Sequence, residues 1–197
     1  MLLSQAVFMD FEASALRHGY PVEVGWASVE GTGIQAQSLL IKPSDEWLTP
    51  EFTWDPVAES LHGLSLAHIH GAGRAPASVC HELNRQLHDK IILFDTGPDG
   101  ADRRWMDLLF AEGGQVRAFK LGGPAGEVLQ ALAAEYGIDD ALQSRIKAAA
   151  PPINHRAAQD AAHYAWRAVV MHRIAKSAEV DAAEEMAKIV VGGVIRR

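Results

Sequence analysis

LLSQAVFMDFEASALRHGYPVEVGWASVEGTGIQAQSLLIK, residues 2–42, is the stretch whose reading decides the fold. Three strand-like runs stand in it, LLSQAVFMDFE (2–12), PVEVGWASVE (21–30) and AQSLLIK (36–42), separated by RHGY and EGTG, which are turn material. They predict a β-meander. After an irregular, proline-rich stretch (43–65), APASVCHELNRQLH (75–88) repeats Val79, Leu83 and Leu87 at helical spacing. KIILFD (90–95) is a short, continuously apolar strand suited to a buried central position. DRRWMDLLFAEGG (102–114) predicts a helix stopped by glycines, QVRAFKL (115–121) a strand, and PAGEVLQALAAEYGI (124–138) a helix with Pro124 in its first turn. A last long helix follows AAAPPIN (148–154) and turns Ala161, Ala165, Ala168 and Met171 to the core. The order βββαβαβα predicts an α/β fold: a mixed sheet, meander first and then alternating helices and strands, flanked by helices.

Composition agrees with one domain over residues 1–176, followed by a C-terminal tail or helix over 177–197. Hydrophobic residues at 48% supply a core, and a net charge of -7 argues against a broad nucleic-acid-binding face. Cys80 is the only cysteine, so no intrachain disulfide forms. The first residues, MLLSQAVFMDFE, have no basic region and fit neither a signal peptide nor a membrane span. A cytoplasmic setting without membrane contact is expected.

Asp10 and Glu12 stand two apart on the first predicted strand, so both carboxylates project from one face. Among Val7, Phe8 and Phe11 such a pair is unfavourable unless a cation neutralises it, and carboxylate oxygens are what magnesium and manganese prefer. About one D-x-E pair is expected by chance in a chain of this composition, so the motif alone decides nothing. The same holds for His155 and Asp160, spaced H-x4-D. Their setting matters more: acidic pairs or His–Asp pairs fall at a strand exit, after a buried strand and at a helix head, where α/β sheets build sites.

These residues resemble a family, the DnaQ-like, DEDDh-type 3′–5′ exonucleases, which have a ribonuclease H-like fold. FMDFE (8–12) resembles its first motif and HRAAQDA (155–161) its third, H-x-A-x-x-D-A. PVEVGWASV (21–29), AESLHGLS (58–65) and YGI (136–138) resemble its secondary signatures, so the likeness runs from about Val7 to Met171. The tyrosine branch of these exonucleases places Tyr four residues before the last Asp, where this chain has Arg156; the histidine branch is favoured. The second motif departs from the pattern. LFDTGPDGADRRWMDLLF (93–110) offers Asp95, Asp99 and Asp102; counting from the strand favours Asp99, whereas counting back from the helix favours Asp102, with Trp105 and Met106 at the family's F-[LM] pair, one aromatic followed by Leu or Met. Asp102 is preferred, because helix packing fixes an aspartate's aim more tightly than loop length does.

The resemblance implies a metal-dependent 3′–5′ exonuclease acting on the 3′ end of short single-stranded RNA or DNA. It implies catalytic roles for Asp10, Glu12, Asp102, His155 and Asp160, and two Mg2+ or Mn2+ ions per site. Asp10, Glu12 and Asp160 would hold one ion, while Asp10 and Asp102 would hold the second. His155 would be the general base, since an unperturbed imidazole titrates near neutral pH. Substrate contacts would come from Ser14, Leu16 and Trp105, with Leu16 wedged against a terminal base. Relatives of this kind commonly dimerise, so a homodimer is an expectation. His62 reads as a structural hydrogen bonder beneath the site, and Trp47 and Trp54 either stack on bases or wedge against the core. Two other readings compete, a catalytically weak exonuclease-fold binding module and a phosphodiesterase of small nucleotides.

Overall fold

A computed structural model describes residues 3–30, 33–96, 100–176 and 191–196. The meander is present as β1 (Ala6–Ala13), β2 (Pro21–Glu30) and β3 (Gly33–Leu40), paired antiparallel in sequence. α1 (Pro56–His62), α2 (Leu66–Ala72) and α3 (Pro76–Gln86) lead to β4 (Ile91–Phe94), which lies parallel to β1. α4 (Ala101–Glu112), β5 (Lys120–Pro124), α5 (Ala125–Tyr136), α6 (Asp140–Ala149) and α7 (Ala157–Lys176) follow. The last strand, β6 (Val191–Arg196), runs parallel to β3, in the segment that the sequence assigns to a tail or helix. The six strands are ordered β5-β4-β1-β2-β3-β6, a mixed sheet flanked by helices in the ribonuclease H-like α/β arrangement.

Alternation along β1 assigns the two faces. Ala6 and Phe8 are buried against α5 and α7, with Leu129, Ala161, Ala165 and Met171, whereas Val7, Met9 and Phe11 are buried with Val79, Leu83 and Met106 of α3 and α4. Asp10 and Glu12 continue the even-numbered row, so they emerge on the α7 face where the apolar packing stops. Ala161, Ala165, Ala168 and Met171 are all buried, as the helical spacing predicts. The small side chains let α7 lie close to the sheet. Closest approach falls at Gly25, where an added Cβ would sit 2.1 Å from the carbonyl carbon of Ala157 and the nitrogen of Ala158.

Four local differences from the sequence reading have physical causes. Two short helices lie in and just after the proline-rich stretch: the Asp55 side chain caps Val57 N–H with Pro56 in the first turn, and Ser65 caps His68 N–H. The strand expected over 115–121 is displaced to Lys120–Pro124: Asn84 takes up the Val116 carbonyl and the Ala118 N–H ahead of it, and Gly122 passes so close to β4 that a Cβ would meet Leu93 and Ile91 side-chain atoms at 2.7 and 2.9 Å. Pro124 caps α5 from outside rather than opening its first turn. α6 begins at Asp140, where the Asp139 carboxylate accepts from Leu142 N–H.

Candidate active site

β1 delivers Asp10 and Glu12, the first turn of α4 delivers Asp102, and the turn into α7 delivers His155 and Asp160. All five line one cavity of about 420 Å³. Glu12, His155 and Asp160 each offer a ligand atom within 4.8 Å of the others, a Glu–His–Asp cluster capable of coordinating a metal ion. Glu12, Asp102 and Asp160 are buried; the His155 ring is exposed.

Asp160 does two things. Its Oδ1 accepts the Asn154 N–H and its Oδ2 the His155 N–H, both at 3.0 Å. These bonds hold His155 in the left-handed region at φ 57°, a conformation that costs a non-glycine residue about 1–2 kcal/mol. Asp102 is held by the Thr96 hydroxyl, which donates to Oδ2 at 3.1 Å. Asp95 is exposed and accepts a hydrogen bond from the Tyr164 hydroxyl. Asp99 lies outside the described residues.

Electrostatics set these carboxylates apart. Burial, then the neighbouring Asp102 and Glu12 charges, push Asp10 well above the ordinary carboxylate range. Burial and Asp160 raise Glu12 to about 8, and burial raises Asp102 to about 6 against the pull of Thr96. Asp160 is also raised by burial. Among the described residues, no salt bridge reaches any of these four carboxylates. The nearby guanidinium of Arg156 is bonded to Glu23, and converging oxygens with no ion pair of their own fit a hard divalent cation.

A pH dependence follows. Each raised carboxyl keeps its proton in the folded chain at a pH where the unfolded chain has lost it, so the unfolded state binds fewer protons and stability falls as pH rises. For Glu12 the loss runs from its ordinary 4.5 up to about 8. A cation relieves it only where the carboxylates are charged. Manganese is therefore expected to raise the melting temperature more at pH 8 than at pH 5 in a calorimetric scan; equal shifts would contradict this account.

An apolar rim surrounds the acidic floor. Leu16 is 68% exposed, Leu61 56% and Ile153 50%, and all three line the cavity with Trp105 and Tyr164. Ser14, expected at the substrate, is buried with its hydroxyl bonded to the Thr53 carbonyl and the Tyr20 N–H. It shapes the turn behind Leu16. His62 is buried at the cavity wall, where its Nδ1 accepts the Leu64 N–H at 3.0 Å, and Trp47 is buried in a stack on Tyr20. Tyr164, Leu61 and Ile153 escaped the sequence reading. For Tyr164 a signal existed: it lies one helical turn beyond Asp160 and so shares its face.

The fold is shared with solved structures of exonuclease I. Structures of E. coli exonuclease I match it: the complex with a dA16 oligonucleotide has a TM-score of 0.58 at 13% identity, over 87% of this chain and 42% of that one. A zinc-bound E. coli exonuclease I complex with single-stranded DNA gives 0.53 at 14%, over 91% and 42%. Exonuclease I from Methylocaldum szegediense gives 0.53 at 13%, over 83% and 40%. The chain thus spans less than half the length of each of these proteins. No protein-family model and no curated protein matches the sequence. No described helix is long and apolar enough to cross a membrane.

Proposed function

We propose that the chain is a metal-dependent exonuclease of the DEDDh type, removing nucleotides from the 3′ end of short single-stranded nucleic acid. The observation that carries this reading is the meeting of Glu12, His155 and Asp160 in one cavity with Asp10 and Asp102. Asp10, Glu12 and Asp160 would hold one divalent ion, and Asp10 with Asp102 a second. Bound magnesium or manganese supplies Lewis-acid stabilisation of the attacking and leaving oxygens in an in-line displacement at phosphorus. His155, exposed beside the buried carboxylates, takes the proton from the attacking water and returns it to solvent. Leu16, Leu61 and Ile153 receive the faces of the terminal bases while the acidic floor receives the phosphodiester. At -7 the chain lacks the charge for a long basic track, so short strands suit it better than long ones.

A 5′-labelled oligonucleotide with manganese is expected to yield a ladder shortening by one nucleotide at a time, with a 3′-phosphate end resisting. First products from internal cuts or from the 5′ end would remove the assignment. Hydrolysis of nucleotide esters alone would favour the small-substrate phosphodiesterase, and binding without turnover would favour the binding module.

Asp102 and Asp95 both line the cavity, but Asp102 is buried and held by Thr96, while Asp95 is exposed and engaged by Tyr164. Asp102→Asn is therefore expected to lower kcat at least about tenfold more than Asp95→Asn does. Equal losses in steady-state assays would show that the loop shares the role.

A further inference from the structure

We propose that Glu23 and Arg156 form a positioning pair that acts through His155, holding its left-handed turn in place independently of Asp160. This rests on the exonuclease reading above. Glu23 is 1% exposed and lies directly across from Glu12 in the β1–β2 register. Two acids so placed repel. Arg156 resolves the conflict: its Nε and one terminal nitrogen donate to the two Glu23 oxygens at 3.0 and 2.8 Å, the forked geometry that guanidinium and carboxylate share. The Ala157 N–H also points to Glu23, at 3.3 Å. Glu23 thus spends its charge on the chain, and Glu12 keeps its own for a cation.

The consequence falls on the residue between two anchors. Before His155 the turn is tied by Asp160, which accepts the Asn154 and His155 amides. After it the turn is tied by Glu23, through the Arg156 side chain and the Ala157 amide. A carboxylate that also serves a cation holds its amide partners less strongly, so Asp160 alone is a compromised anchor. Glu23 is not exposed to that competition, since its oxygens face the guanidinium. The pair fixes where the His155 ring can stand.

The test is Glu23→Gln in the full chain, which keeps the side-chain shape and removes the charge. Outer partners of this kind are worth about 10–100-fold in activity. Glu23→Gln is expected to lower kcat within that range, with KM and manganese affinity within about twofold of wild type. In a His155→Ala background the same substitution is expected to change kcat by less than about twofold, because the residue it positions is gone. In metal-free protein, amide exchange at Asn154 and His155 is expected to quicken at least about tenfold. Multiplying kcat losses in the double variant, or unchanged exchange, would overturn the proposal. Should Glu23→Gln fail to fold, Arg156→Lys keeps the charge, loses the fork, and is expected to follow the same pattern with a smaller loss. An inactive wild type would remove the exonuclease reading, and the exchange measurement would still decide whether the pair holds the turn.

Discussion

Asp10→Ala is expected to abolish phosphodiester hydrolysis and to leave the protein folded, melting at or above the wild type when metal is absent. Asp10 faces Asp102 and Glu12 within the cavity, and burial with these neighbours pushes its carboxyl well above its ordinary range. Charged or protonated, it is held there at a cost in free energy that alanine does not carry. A gain of about 1 kcal/mol corresponds to roughly 2–4 °C in a chain of this size. Activity moves the other way. The carboxylate would be shared between both cations, and losing several kcal/mol of transition-state stabilisation lowers the rate by about 10³-fold or more. Scanning calorimetry and a manganese-dependent nuclease assay measure the two halves. Hydrolysis that persists in excess chelator defeats the metal-dependent mechanism.

The second large effect is expected at His155. Its ring sits within ligand reach of Glu12 and Asp160, yet it is exposed where they are buried. Exposure suits a group that exchanges protons with water. His155→Ala is therefore expected to lower kcat by about 10²–10⁴-fold while manganese affinity, measured by titration calorimetry, stays within a few-fold. A matching collapse in affinity would make the imidazole a ligand and leave proton removal to another group.

Much of this was legible in the sequence, for reasons that can be located. Period-two alternation in β1 placed Asp10 and Glu12 on one face, and the recurrence of alanines placed the buried stripe of α7. Asp102 is preferred over Asp99 in the sequence because a helix fixes direction; Asp102 lines the cavity, as Asp95 also does, and Asp99 lies outside the described residues. What sequence could not supply was register. Glu23 reads as one acid in an apolar strand; that it stands opposite Glu12 and receives Arg156, 133 residues away, exists only once the sheet and α7 are assembled. The short helices α1 and α2 were legible in principle, since Asp55–Pro56 is a cap followed by a first-turn proline. Proline density around them masked the signal.

The contact at Gly25 has a wider consequence for how the molecule comes apart. Side chains tolerate small errors by rotating, but two backbones touching at Gly25 leave no such slack. Gly25 pairs with Asp10 across the sheet, and its other neighbour is the first turn of the helix that carries Asp160. The two halves of the carboxylate cluster are therefore spaced by the absence of one methyl group. A cluster spaced this way cannot loosen by itself as a mobile loop would, because widening it means lifting α7 from the meander and opening the core beneath. Folding and site assembly are then expected to be one cooperative event, with amides on either side of Gly25 among the slowest to exchange.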